Sequence, residues 1–259
     1  VLLADDGLLD LDDPVVDHLP SFGTTDPATR RATVRQLLTH TAGLPEGLAL
    51  TDRDEPGRTP ADVVAEIADL DPVGAPGERH AYSSLGYVVL AAVVTEVTGQ
   101  PYGEALAERV LEPAGMTGVP ADPAEADAVL PPGHRYVLGT PRAYGSGVDP
   151  TGQAAGYLVG GLADLTAFAR TQLSSSTLLD DEQRSLLHDP EVSTGPDAGY
   201  GLGWRTSSLP GTDEPVVWHG GAAPGYTSAI LLLPEEDVAV VVLMDAYGPF
   251  QEGALLDIA

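Results

Sequence analysis

Two histidines, one tyrosine and a run of glycines carry the chemistry this chain offers. His219 heads the segment His219-Gly220-Gly221-Ala222. An imidazole ordinarily titrates close to neutrality, and the glycines after it let a ligand or a second backbone approach closely. Tyr82 opens Tyr82-Ser83-Ser84-Leu85-Gly86-Tyr87, just ahead of an apolar helical pattern. A free phenol has a pKa of ~10 and carries protons at neutral pH only beside positive charge. His40 sits in the compact turn Thr39-His40-Thr41-Ala42-Gly43-Leu44-Pro45. Plainer roles exist for each: Tyr82 as a helix-start tyrosine with a bonded hydroxyl, His219 as a structural histidine at a glycine-rich bend. For His40 the plainer role is the expected one, bonding the backbone of its own turn and not touching substrate.

Other chemistries fall away. The chain has no cysteine, so thiolate and disulfide chemistry are excluded. The six histidines (His18, His40, His80, His134, His188, His219) show no metal-ligand spacing, and neither a metal nor another cofactor is expected. No serine lies in a Gly-x-Ser-x-Gly elbow, and Gly201-x-Gly203 lacks the strand–turn–helix setting of a dinucleotide loop. All 12 basic residues are arginines, so there is no lysine to activate a nucleophile.

Three segments, in order, resemble the serine β-lactamase-like hydrolases, the branch of class C β-lactamases, D-alanyl carboxypeptidases and related esterases. Leu37-Leu38-Thr39-His40-Thr41-Ala42-Gly43-Leu44-Pro45 resembles the family's Leu-Leu-x-His-x-Ser-Gly-Leu-Pro turn. Tyr82-Ser83-Ser84 resembles its Tyr-x-Asn box, and His219-Gly220-Gly221 its Lys/His-x-Gly box. Stretches at Gly7–Val15, Ala154–Phe168 and Tyr200–Trp204 add support, and the likeness is weakest over 117–153. The resemblance implies an α+β fold, acyl transfer through a serine ester, and a small-molecule or peptide substrate (ester, peptide or β-lactam). It implies Tyr82 as proton shuttle, Ser84 in the second box, and His219 as polarity or charge beside a substrate carboxylate. Gly220, Gly221 and the backbone N–H of Ala222 would line the substrate and oxyanion side, with His40, Thr41 and Gly43 supporting the cleft. It also implies an extracytoplasmic location.

The departures are equally specific. The family's Ser-x-x-Lys lies shortly before the counterpart of Gly7–Val15, and no such motif occurs in these 259 residues. Ser84 stands where asparagine is usual. Val1-Leu2-Leu3-Ala4 reads as the end of a helix already under way, so an N-terminally truncated fold and an inactive fragment are expected, with any export signal upstream. The alternative is a non-catalytic relative, a binding or regulatory module that kept the cleft. A Ser-x-x-Lys within about one to three helical turns upstream would decide for the enzyme.

Acidic residues outnumber basic ones 39 to 12, a formal charge of −27. Such a surface repels nucleic acid and anionic lipid, so neither is an expected partner. No apolar run approaches the ~18 residues of a membrane span. The elements that must position the site follow from periodicity and punctuation. Ser228–Leu233 and Val238–Met244, joined by the polar Pro234-Glu235-Glu236-Asp237, read as a β-hairpin; their near-continuous apolar character predicts helices on both sheet faces. Tyr200–Trp204 is predicted as a strand pairing with that hairpin. Helices are predicted at Val34–Leu38, from the Thr59-Pro60 cap to Asp71-Pro72, from Tyr82 through Val97 to a stop at Gly99, and at Tyr102–Leu111. Two more are expected around Leu162–Ala169 and from Asp180 to His188. Residues 117–155 show no convincing period. One domain is expected over 1–259, helix-rich over 1–190 and sheet-rich over 191–247, its mainly antiparallel sheet left with one uncovered edge.

Overall fold

The structure, a computed structural model, describes residues 1–47, 57–145, 147–173, 176 and 178–247. The first half is helical: α1 (Leu2–Asp5), α2 (Val15–His18), α3 (Val34–Leu38), α4 (Pro60–Ile67) and α5 (Ser84–Thr98). Their starts are chemically marked. Thr33 with Gln36 caps α3, and Thr59 with Asp62 caps α4 behind a proline in its first turn. Each box satisfies N–H groups that a helix start leaves without partners. Ser83 caps α5, accepting from the Gly86 N–H at 3.3 Å, so Tyr82 lies just outside the helix. Gly99, at φ +68°, ends it. Leu85, Val88, Val89, Ala92 and Val93 of α5 bury against Leu37, Leu44, Val63, Val64 and Ile67 in the main core. A buried valine or leucine contributes roughly 1.5–3 kcal/mol, so α5 is the post on which the helical half is hung.

α6 (Tyr102–Leu106) runs through a π-helical turn at Ala107–Leu111 into a last turn at Glu112–Ala114. The stretch 117–155 is more ordered than its pattern suggests. It holds α7 (Pro123–Val129), the hairpin β1 (His134–Val137) and β2 (Thr140–Ala143), and a short 3-10 turn at Gln153–Ala155. The hairpin is almost wholly exposed, which is why no apolar alternation betrays it. α8 (Leu162–Thr171) and α9 (Asp181–His188) lead into the main sheet, α9 with the expected Asp180–Gln183 capping box.

The main sheet has six antiparallel strands in sequence order: β3 (Val192–Gly195), β4 (Ala198–Tyr200), β5 (Arg205–Ser208), β6 (Pro215–Ala223), β7 (Tyr226–Leu233) and β8 (Val238–Met244). A two-residue β9 (Ala246–Tyr247) joins β1 in parallel. The β7–β8 hairpin is as expected. One expectation is corrected. Tyr200–Trp204 is not a strand: Tyr200 ends β4, Arg205 begins β5, and Gly201–Gly203 turn between them, with Gly203 at φ +90°. The segment around His219, for which a glycine-rich bend was the plainer alternative, lies inside β6, whose register with β7 runs unbroken from Val217↔Leu232 to Ala223↔Tyr226. Among the described residues α8 is the helix packed along the hairpin. Its Leu165, Phe168 and Ala169 meet Ile230, Leu232, Ala239 and Val241. Among the described residues the helical cover expected on both faces is found on one, and β8 has no further strand beside it, with Val238 and Leu243 exposed.

Candidate active site

The cleft opens where β5 stops. Its pairing with β6 begins at Pro215 and ends at Trp218, so residues 219–223 pair only with β7 among the described residues. The other edge of that half-strand is open. In front of it stands Tyr82, its ring centroid 6.3 Å from that of His219 and 4.2 Å from that of His40. Tyr82 is 37% exposed, unlike its buried neighbours Ser83 and Ser84, so its ring faces accessible space. The two boxes recognised in the sequence thus meet, one from the loop before α5 and one from β6.

The turn around His40 is stitched to the strand of chain leading to Tyr82. His40 C=O accepts from Ala81 N–H at 2.8 Å, Thr41 C=O from Gly77 N–H at 2.7 Å, and Gly43 C=O from Val73 N–H at 2.9 Å. Gly43, at φ +78°, is pressed against the Gly74 carbonyl so closely that a Cβ would not fit. His40 does not bond its own turn, as the sequence reading expected. Its Nδ1 takes the Ser83 N–H at 3.1 Å and its Nε2 lies 3.0 Å from the Tyr200 hydroxyl. Burial, then the neighbouring His80, His219 and Arg205, pushes His40 down to about 3. It is a neutral strut.

His219 corrects a second expectation. Both of its ring nitrogens are engaged, Nδ1 with the Gly220 carbonyl at 2.8 Å and Nε2 with the Tyr200 hydroxyl at 3.1 Å. The acidic surface does not raise its pKa. Burial lowers it, and Arg205 adds to the effect. His219 is therefore uncharged near neutrality and has no ring nitrogen left for a substrate. Ser84, at the first position of α5, is buried with no side-chain hydrogen bond among the described residues, so nothing there ties it to Tyr82 or His219. Gly221 lies tight against Ser228, whose hydroxyl would clash with any Cβ, while a Cβ at Gly220 would make only ordinary contact with Ser228 and Trp218.

The cation of the cleft is Arg205, which the motif reading missed. It stands directly opposite Tyr200 on β4 and Trp218 on β6. Its guanidinium carbon lies 5.4 Å from the Trp218 ring, 5.9 Å from Tyr200 and 5.8 Å from Tyr82. Such placement holds a guanidinium without neutralising it. Among the described residues Arg205 has no carboxylate partner, on a chain that carries 39 acidic residues. One signal was available: after Arg184 it is the only arginine in the sequence. Tyr200 was likewise missed as a site residue, because nothing local announces a partner 160 positions away.

Among the described residues no helix is long and apolar enough to cross a membrane, and no cluster of His, Cys, Asp or Glu could hold a metal ion. Comparison with known proteins places the chain firmly. Protein flp of Staphylococcus aureus (strain N315) is 26% identical over 93% of this chain and 49% of its own length, so the chain spans about half of that relative. A structure described as an octameric penicillin-binding protein homologue from Pyrococcus abyssi superimposes with TM-score 0.81, at 25% identity over 95% of this chain and 58% of the other. A D-stereospecific amidohydrolase from Streptomyces sp. gives TM-score 0.80, at 26% identity over 95% of this chain and 77% of the other. Residues 1–259 match the family described as Beta-lactamase from end to end, and the chain belongs to it.

Proposed function

We propose that residues 1–259 form the substrate cleft of a serine hydrolase that cleaves an ester, amide or β-lactam bond through an acyl-enzyme, with the nucleophilic serine and its lysine supplied from outside these residues. The observation that carries this reading is the convergence of Tyr82, Arg205 and the open edge of β6 on one accessible gap. Tyr82 would take the proton from the attacking serine and return it to the leaving group. The Arg205 charge 5.8 Å from its ring centroid favours the phenolate form that this needs. Gly220 and Ala222 are two residues apart on β6, so their N–H groups share one strand edge. With the Gly220 carbonyl taken by the His219 ring, that edge is the one facing the cleft, and the Ala222 N–H is the oxyanion donor in this reading.

In this reading the Ser-x-x-Lys, which these 259 residues do not contain, comes from outside them, and by themselves they should not turn over substrate. Arg205, and not His219, would hold an anionic group of the substrate, since His219 is neutral with both nitrogens used. The penicillin-binding-protein and D-amidohydrolase descriptions of the structural neighbours support amide substrates.

Arg205→Leu in the full-length protein tests the assignment. Loss of one charge-assisted hydrogen bond, about 1.5–3 kcal/mol, should raise KM for an anionic acyl-D-amino acid some 10- to 100-fold and leave a neutral ester little changed. Equal loss on both substrates would show Arg205 to be structural. A non-catalytic relative remains as second reading, favoured by Ser84 in the second box. It predicts ligand binding without acylation.

A further inference from the structure

An unbroken line of hydrogen bonds crosses the floor of the cleft. Ser83 N–H meets His40 Nδ1 at 3.1 Å, His40 Nε2 meets the Tyr200 hydroxyl at 3.0 Å, that hydroxyl meets His219 Nε2 at 3.1 Å, and His219 Nδ1 meets the Gly220 carbonyl at 2.8 Å. Both ends are backbone, and that fixes every proton between them. An amide N–H only donates and a carbonyl only accepts, while a neutral imidazole offers one donor and one acceptor. His40 must therefore accept at Nδ1 and donate from Nε2. His219 must donate from Nδ1 and accept at Nε2. Along this line the Tyr200 hydroxyl accepts from His40 and donates to His219, while the neighbouring Tyr87 hydroxyl gives its own proton to the Leu38 carbonyl at 3.0 Å.

We infer that His40 and Tyr200 are positioning residues that lock His219 as the neutral Nδ1–H tautomer and thereby tie β6 to the residue beside Tyr82. The two ends of the line fall at the two halves of the site: Ser83 follows Tyr82, and Gly220 lies two residues before Ala222. The relay sets the distance across which a substrate must be held, a role that rests on the serine hydrolase reading above. Its proton order does not rest on it.

The line also resists acid. Protonating His40 would turn an Nδ1–H against the Ser83 N–H. Protonating His219 would aim two donors at the Tyr200 oxygen and displace its own proton. The groups facing these imidazoles act the same way: Arg205 disfavours a second proton on either ring, His80 does so on His40, the remaining neighbours are the rings of Tyr82, Tyr87 and Tyr200, and no carboxylate contributes to the shift of either ring. Tyr200 is 1% exposed, and burial pushes its hydroxyl well above the ordinary phenol range, so it stays protonated.

The test is histidine-labelled nitrogen NMR on the full-length protein, where ring-nitrogen correlations read tautomer and charge directly. The expected spectrum has His40 as Nε2–H and His219 as Nδ1–H, His40 titrating near 3 and His219 below the ordinary ~6.5. Tyr200→Phe should release His219, which then exchanges between tautomers and titrates at a higher pH than in the wild type, while burial and Arg205 still hold it below the ordinary value. In the same variant the pH profile of acylation should gain a step at that pH. An Nε2–H tautomer for His219 in the wild type, or a wild-type midpoint near 6.5, overturns the inference; so does a folded Tyr200→Phe protein with an unchanged His219. If the variant does not fold, the wild-type tautomers decide alone. A protein that shows the expected tautomers yet never acylates would refute the hydrolase reading and leave the proton order standing.

Discussion

Replacing Gly43 by alanine should cost far more than the same change at Gly99, although both residues adopt left-handed backbone, at φ +78° and +68°. At Gly99 an added Cβ meets nothing within 4 Å. Only the conformational term remains there, about 1–2 kcal/mol against an L-residue, partly offset by about 0.4–1 kcal/mol from a stiffer unfolded chain. Gly99→Ala should therefore cost roughly 1 kcal/mol. At Gly43 the Cβ would fall well inside van der Waals contact with the Gly74 carbonyl oxygen, a backbone atom that cannot swing aside alone. Relief requires the 73–77 segment to move, which strains the Val73 N–H to Gly43 C=O bond at 2.9 Å and the Gly77 N–H to Thr41 C=O bond at 2.7 Å. At about 0.5–1.5 kcal/mol per hydrogen bond, this adds roughly 1–3 kcal/mol. Urea denaturation of the three proteins reads the difference as a shift in midpoint at constant slope. The expected result is a Gly43→Ala penalty at least about 1 kcal/mol beyond that of Gly99→Ala. Equal penalties would refute the claim that close approach, and not backbone conformation alone, fixes the turn carrying His40.

Two further predictions concern acid and the sheet edge. His40 is held at about 3 in the folded chain against an ordinary 6.5, so the unfolded state binds the extra proton between those values. Its stabilising effect is complete well above pH 6.5 and is lost as pH falls toward 3; on going from pH 6.5 to 5 it should weaken the fold by roughly 1.5 kcal/mol. His40→Gln should remove about one proton from that acid slope, and an unchanged slope would exclude His40 as the source. On β8, which has no further strand beside it among the described residues, Val238 and Leu243 are 44% and 39% exposed. Lysine at both positions should lower light scattering by residues 1–259 at a cost near ±0.5 kcal/mol, whereas unaltered scattering would place the association elsewhere.

Legibility in the sequence followed the range of the interactions. Caps are local, and Thr59-Pro60 and Asp180 with Gln183 were readable because donor, acceptor and breaker lie within four residues. The β7–β8 hairpin announced itself through two apolar runs around a polar turn. β6 did not, because glycines at 220 and 221 allow a bend, and only its long register with β7 holds them extended. The Tyr200–Trp204 turn was misread for the opposite reason: aromatic residues suggested a strand, while Gly201 and Gly203 made the reversal. At the site, the resemblance singled out Tyr82 and His219, whose rings lie 6.3 Å apart, but charge was assigned by residue type. The fold buries His219, occupies both its nitrogens and leaves the cation to Arg205, an outcome set by cross-strand register with Tyr200 and Trp218.

Covalent labelling of the full-length protein tests the central claim most directly. After incubation with a fluorescent penicillin or an activated phosphonate, peptide mass spectrometry should find the adduct on a serine of a Ser-x-x-Lys motif outside residues 1–259, lost in a Tyr82→Phe variant that keeps its fold, while residues 1–259 alone remain unlabelled. An adduct on any serine within residues 1–259, or undiminished labelling without the Tyr82 hydroxyl, would contradict it.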